Sequence, residues 1–205
     1  ISACLVGSEM CIRDRPGYFD LYCEAVREKG KEEPVIVEFT GGAHCCWTYR
    51  FYSEKTGKVM ETVLYVGNGY DPQFQDINND GIKEILSHDD RFDYFDELSH
   101  AASPFLPMVI CWNGQTFSDC TQQFPKVTLN WVNQEITRVK KEGKQWETHQ
   151  KLGVALGIFA ASIRLGEREK GWERVSSFCP DECISWLKKY EPEITTIAST
   201  PRKFQ

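Results

Sequence analysis

No stretch of this sequence is long and apolar enough to cross a bilayer. The longest apolar run, 152–163, lies between Lys151 and Arg164, whereas a spanning helix needs about 20 residues. It reads as a buried helix, and no transmembrane segment is expected. Basic clusters are missing too. Lys and Arg total 24 against 30 Asp and Glu, a net charge of −6 with no patch of the kind that tracks phosphates. Nucleic acid is not an expected partner. The cysteines include no Cys-x-x-Cys pair, so a ribbon-type zinc site has no basis. There is also no serine elbow and no Gly-rich nucleophile turn, which weakens a hydrolase reading.

The first residues lack an initiator Met, a basic n-region and a long apolar h-region. Their string from Cys4 to Arg15 resembles translated sequencing-adapter DNA. Residues 1–15 are therefore expected to be a non-native extension, poorly packed, with the native start and any signal peptide missing. Setting Cys4 and Cys11 aside leaves Cys23, Cys45, Cys46, Cys111, Cys120, Cys179 and Cys183. Nine cysteines in all are many for a cytosolic chain of this size and predict an oxidising compartment, periplasmic or extracellular, with most of these seven thiols in bridges. Cys179–Cys183 is one candidate pair, although a regular helix holds residues four apart with poorly aimed Cβ vectors. An odd count leaves one thiol over.

What the sequence does carry is Asp76-Ile77-Asn78-Asn79-Asp80-Gly81-Ile82-Lys83-Glu84-Ile85. Oxygen-bearing side chains stand at alternate positions, a glycine follows the third, and a carboxylate returns at the ninth. A hard cation such as Ca²⁺ takes six to eight oxygen ligands, and alternate residues of a curled segment can point inward together. Asp76, Asn78 and Asp80 would supply side-chain oxygens, Ile82 its backbone carbonyl, and Glu84 the closing carboxylate. The twelfth position, a bidentate Glu in an EF-hand, is Ser87. Ile82, Ile85 and Leu86 instead suggest a loop that runs into a strand. The competing reading is a polar surface turn, since Asn, Asp and Gly favour turns for backbone reasons of their own.

The pattern Asp-x-Asn-x-Asp-Gly-x-x-Glu-Ile resembles the calcium loop of FG-GAP/VCBS-type repeats, which build β-propellers and many secreted bacterial proteins. The likeness extends over about 35–121, where Gly-Gly-Ala-His-Cys-Cys precedes the loop. It implies a loop joining two strands of a blade, with Ca²⁺ on Asp76, Asn78, Asp80, the Ile82 carbonyl and Glu84. The chain lacks a Phe-Gly or Gly-Ala-Pro signature, contains one intact loop, and has Glu at position nine where Asp is commoner.

Along the chain, 18–26 is ambiguous between strand and helix, while 34–40, 45–53 and 59–66 read as strands. A strand follows the loop at 84–87, a strand or short link is expected at 92–95, and Asn113-Gly114 predicts a hairpin over 107–120. Helical spacing begins after Pro125, continues over 149–165 and recurs near Trp172, Val175 and Phe178. A last helix starts at Pro180-Asp181-Glu182 and is expected to stop at Glu191-Pro192, leaving a loose tail. The expected fold class is α+β: a β-rich, FG-GAP/VCBS-like region over 16–125 and a helical region over 126–205. A faint internal repeat, 30–37 paralleling 80–86, gives two blade-like units, which cannot close a propeller, so the sheet should be antiparallel, open and incompletely propeller-like.

The remaining candidates for chemistry are few. His44-Cys45-Cys46 sets an imidazole beside thiols, a candidate nucleophile or soft-metal ligand, but adjacent strand residues point to opposite faces, and structural thiols or disulfide halves are the commoner fate. His88-Asp89-Asp90 reads as a solvated turn, as an acid/base pair, or as the outer shell of the calcium loop. Trp47, Tyr49, Phe51, Phe92, Tyr94 and Phe95 read as core, or as a platform for a protein or carbohydrate ligand if one face is exposed. Together these features predict a non-enzymatic, calcium-stabilised binding or structural module of a bacterial envelope or secreted protein. The alternative is a hydrolase using His44, Cys45 or His88.

Overall fold

A computed structural model of the protein describes residues 18–41, 46–68 and 71–204. Within them β1 (Tyr18–Glu24), β2 (Glu33–Phe39), β3 (Trp47–Lys55) and β4 (Lys58–Gly67) form an antiparallel sheet in chain order. The ambiguous stretch at 18–26 resolves as a strand, with Leu21 opposite Ile36 and Tyr22 opposite Val35. Alternation sorts the two faces. Val35, Val37, Tyr49, Phe51 and Leu64 are buried, whereas Leu21, Val63 and Tyr65 are exposed. Thr56 and Gly57 both have positive φ, 52° and 74°, the backbone that a two-residue hairpin turn requires.

A second four-stranded sheet has the order β5 (Gln73–Gln75), β6 (Glu84–Asp89), β7 (Leu106–Trp112), β8 (Phe117–Asp119). β5 and β6 are antiparallel, as are β7 and β8. The expected Asn113-Gly114 hairpin is present. Asn113 Oδ1 accepts from the Gln115 and Thr116 amides at 3.0 and 2.9 Å. The stretch 92–95 is not a strand. Short 3₁₀ turns at Asp90–Phe92 and His100–Ala102 flank it, and Tyr94 and Asp96 adopt positive φ, which breaks the extended backbone.

The helices are α1 (Pro125–Glu142), α2 (Thr148–Arg164), α3 (Arg168–Ser176) and α4 (Asp181–Ser199). The described chain is thus α+β, strands first and helices last, with two antiparallel sheets and no closed propeller. Its residues gather into two compact units. One holds the strands through Ser87 together with Val109–Asp119, and the other holds His88–Met108 and Cys120–Arg202.

The helical unit is built around α2, whose residues 153–162 are all buried. Leu156, Ile158 and Phe159 share a core with Val132 of α1, Val175 of α3, and Leu187 and Ile194 of α4. The expected stop of α4 at Pro192 is overturned, because the helix continues to Ser199 with Pro192 inside it. An interior proline removes one backbone hydrogen bond and costs about 3 kcal/mol. Beyond it Ile194 and Ala198 are buried on the same core, and burying such side chains returns about 1.5–3 kcal/mol for a residue of Ile size. Packing here overrides the local stop signal.

Cys179 and Cys183 are bridged with their Cα atoms 5.5 Å apart. Cys179 lies before the helix cap at Pro180, so the constraint of a regular helix does not apply to the pair. Cys23, Cys46, Cys111 and Cys120 are disulfide-bonded as well, in line with the expected oxidised thiols. Residues 1–15, His44 and Cys45 lie outside the described residues. No described helix is long and apolar enough to cross a membrane.

Candidate metal centre

The loop with the alternating oxygens connects β5 to β6, and the strand pair closes it with Gln75 opposite Glu84. Its outgoing end is anchored where the Lys83 amide donates to the Ala25 carbonyl at 2.7 Å and Lys83 Nζ pairs with Glu24. Gly81 has φ +89°, and a Cβ there would meet the Lys29 side chain at 2.8 Å. Only glycine takes that backbone without strain.

The side chains expected to face a cation organise the loop backbone. Asp76 accepts from the Asp80 amide at 3.0 Å and the Gly81 amide at 2.9 Å. Asn78 Oδ1 accepts from the Asp80 amide at 3.0 Å, and its Nδ2 donates to Asp80 Oδ2 at 2.8 Å. Asp80 Oδ1 accepts from the Ile82 amide at 2.7 Å, and Glu84 Oε2 from the Ile77 amide at 2.8 Å. These bonds hold Asp76, Asn78, Asp80 and Glu84 in a single loop.

Glu84 is buried, and burial is the main cause that pushes its carboxyl above the ordinary carboxylate range. The Ile77 amide works against that shift, and the charges of Asp80 and Asp76 add to it. The loop therefore carries mutually repelling acids, one of them desolvated. No group of three or more described His, Cys, Asp and Glu residues is gathered closely enough to hold a metal ion. Each amide bond uses one lone pair of a carboxylate oxygen and leaves others to accept.

The other candidates fall elsewhere. His88 is buried in β6, its ring edge-on to Phe105 at 5.1 Å, which is not the setting of a solvated turn. Asp89 is fully buried and paired with Arg91 and Arg164. Of the aromatic set, Tyr49, Phe51, Phe92 and Phe95 are core, while Tyr94 is half exposed.

Nothing in the sequence marks His100 as a ligand, and the structure pairs it with Asp93. Its Nδ1 lies 2.8 and 2.9 Å from the two oxygens of Asp93, a carboxylate–imidazole pair of the sort that fixes a tautomer. The partners are seven residues apart across an irregular turn, so no periodicity marks them. A neighbouring contact also escaped notice: Asp96 accepts from Trp186 Nε1 at 2.8 Å and from the Tyr190 hydroxyl at 2.6 Å, fastening that turn to α4.

Comparison with known proteins adds little. No family model matches the chain, and no solved structure matches it. A protein of Synechocystis named "Probable thylakoid lumen protein" is 24% identical over 151 residues, covering 70% of this chain and 43% of that protein. The chain thus spans less than half the length of this curated relative.

Proposed function

We propose that this chain is a non-enzymatic, calcium-stabilised binding or structural module that works outside the cytoplasm, as part of a bacterial envelope or secreted protein. The observation that carries the reading is the loop itself. Asp76, Asp80 and a buried Glu84 are fixed in one hairpin connection, with the charges of Asp76 and Asp80 bearing on Glu84. Asp76, Asn78, Asp80, the Ile82 carbonyl and Glu84 would hold Ca²⁺, which would neutralise that charge and brace the turn between β5 and β6. The blade-like reading draws support from two successive four-stranded antiparallel sheets, with the loop joining the first two strands of the second.

Export draws support from the disulfide-bonded cysteines and from the printed name of the Synechocystis relative. The hydrolase alternative gains nothing from His88, whose ring is buried against Phe105.

Calorimetric titration tests the site. Ca²⁺ should bind with a dissociation constant of about 10⁻⁴–10⁻³ M, as in extracellular modules. Mg²⁺ should bind more weakly, because it demands tighter octahedral geometry. Ligand carboxylates must be deprotonated, so affinity should fall as pH drops through the raised value of Glu84. Equal Ca²⁺ heats from wild type and Asp80→Ala would refute the assignment.

A further inference from the structure

A cavity of about 220 Å³ opens within the helical unit, between α1, the start of α2 and the segment Ala101–Phe105. The close approach that forms it depends on Gly153 of α2, where a Cβ would stand 1.6 Å from the Ala102 carbonyl oxygen. Its lining includes two indoles, Trp131 and Trp146, and three long polar side chains, Glu135, Arg138 and Gln150. Arg138 lies 4.9 Å from the Trp146 ring centre and is paired with Glu135 through Nε and Nη2.

Several hydrogen-bonding atoms on these residues remain available. Glu135 accepts both bonds from Arg138 on Oε2. Gln150 Oε1 accepts from the Glu147 amide at 3.1 Å. Arg138 Nη1, Gln150 Nε2, both indole N–H groups and Glu135 Oε1 have no protein partner among the described residues. The residues that line the cavity thus bring two indole rings, four donor groups and one carboxylate oxygen not used within the described protein.

Charge narrows the ligand class. Glu135 and Arg138 balance, so a free anion would meet the carboxylate and a free cation the guanidinium. A purely apolar ligand would leave the donors and the acceptor unpaired, at a cost for each. Volume narrows it further, since drug-sized sites start at about 300 Å³. We infer that this cavity takes one neutral polyhydroxylated ring, a single pyranose residue. Its C–H face would lie on an indole, and its hydroxyls would bond to Glu135, Arg138 and Gln150. This deepens the binding-module reading by naming a ligand class, and it shares no residue with the calcium loop.

The test uses the folded chain with its disulfides intact. D-glucose, D-galactose, D-mannose and N-acetyl-D-glucosamine are titrated to about 100 mM, because so few ligand atoms support only millimolar binding. Two-dimensional NMR follows the indole N–H signals, assigned with Trp131→Phe and Trp146→Phe. At least one sugar should shift both signals saturably. Glu135→Gln should weaken that binding about tenfold with the thermal midpoint retained, and Gln150→Ala provides a second variant if Glu135→Gln folds poorly.

The proposal is overturned if no sugar shifts the signals, if acetate or choline shifts them at lower concentration, or if both variants bind as wild type does. Repeating the titration with calcium chelated separates the two readings. Sugar binding that fails while calcium still raises the thermal midpoint defeats only the cavity assignment.

Discussion

Asp89 shows how one buried charge is kept. Burial alone would raise its carboxyl, but the hydrogen bond from Arg91 and the charges of Arg164 and Arg91 outweigh it and hold the group below the ordinary carboxylate range. Arg164 also donates to the Pro107 carbonyl at 3.1 Å, and Arg91 to the Thr200 carbonyl at 2.8 Å. A depressed native value means that the group's stabilisation is present above the unfolded value near 3.9 and is lost as pH falls through the lower native one. Asp89→Asn leaves Arg164 buried without its counter-charge and should cost about 3–5 kcal/mol at neutral pH. Urea unfolding of the variant, repeated down to acid pH, should show the gap from wild type closing once Asp89 is protonated. Glu84 has the opposite sign. Its raised value means that, without a cation, stability is gained as pH drops toward the unfolded value.

At the scale of elements, most strands and helices were legible because their apolar periods are regular. The exceptions have physical causes. β5 is three residues long, too short to show alternation. The segment 92–95 has strand-like composition, but Tyr94 and Asp96 take left-handed backbone angles that tertiary contacts impose. α4 runs through Pro192 because its buried face continues at Ile194 and Ala198. Replacing that proline restores a helix amide, so Pro192→Ala should raise stability by as much as about 3 kcal/mol. A denaturation midpoint unchanged from wild type would mean that the helix accommodates the proline without cost. The turn between β5 and β6 was legible as a loop, since its Asp, Asn and Gly residues lie within ten positions of one another. The cavity was not, because Trp131, Trp146, Gln150 and Ala102 come from segments separated in sequence and become neighbours only through the packing of α1, α2 and the 3₁₀ turn.

For the whole molecule, the disulfide-bonded cysteines fit surroundings outside the cytoplasm. Alkylating unreduced protein from an exporting host should leave Cys23, Cys46, Cys111, Cys120, Cys179 and Cys183 unlabelled in peptide mass spectrometry. Labelling of most of them would remove the argument for an oxidising compartment. Reduction should lower stability, with a typical bridge contributing about 2–4 kcal/mol. Calcium should act on the same scale, because a ligand held only by the native state adds about 2.7 kcal/mol at a hundredfold excess over its dissociation constant. Thermal unfolding of the intact chain in millimolar Ca²⁺, in millimolar Mg²⁺ and in chelator measures this directly, with Asp76→Ala/Asp80→Ala as the reference. The account predicts that Ca²⁺ raises the wild-type midpoint by several degrees, that Mg²⁺ raises it less, and that the double variant does not respond. A calcium shift of equal size in wild type and variant would contradict it.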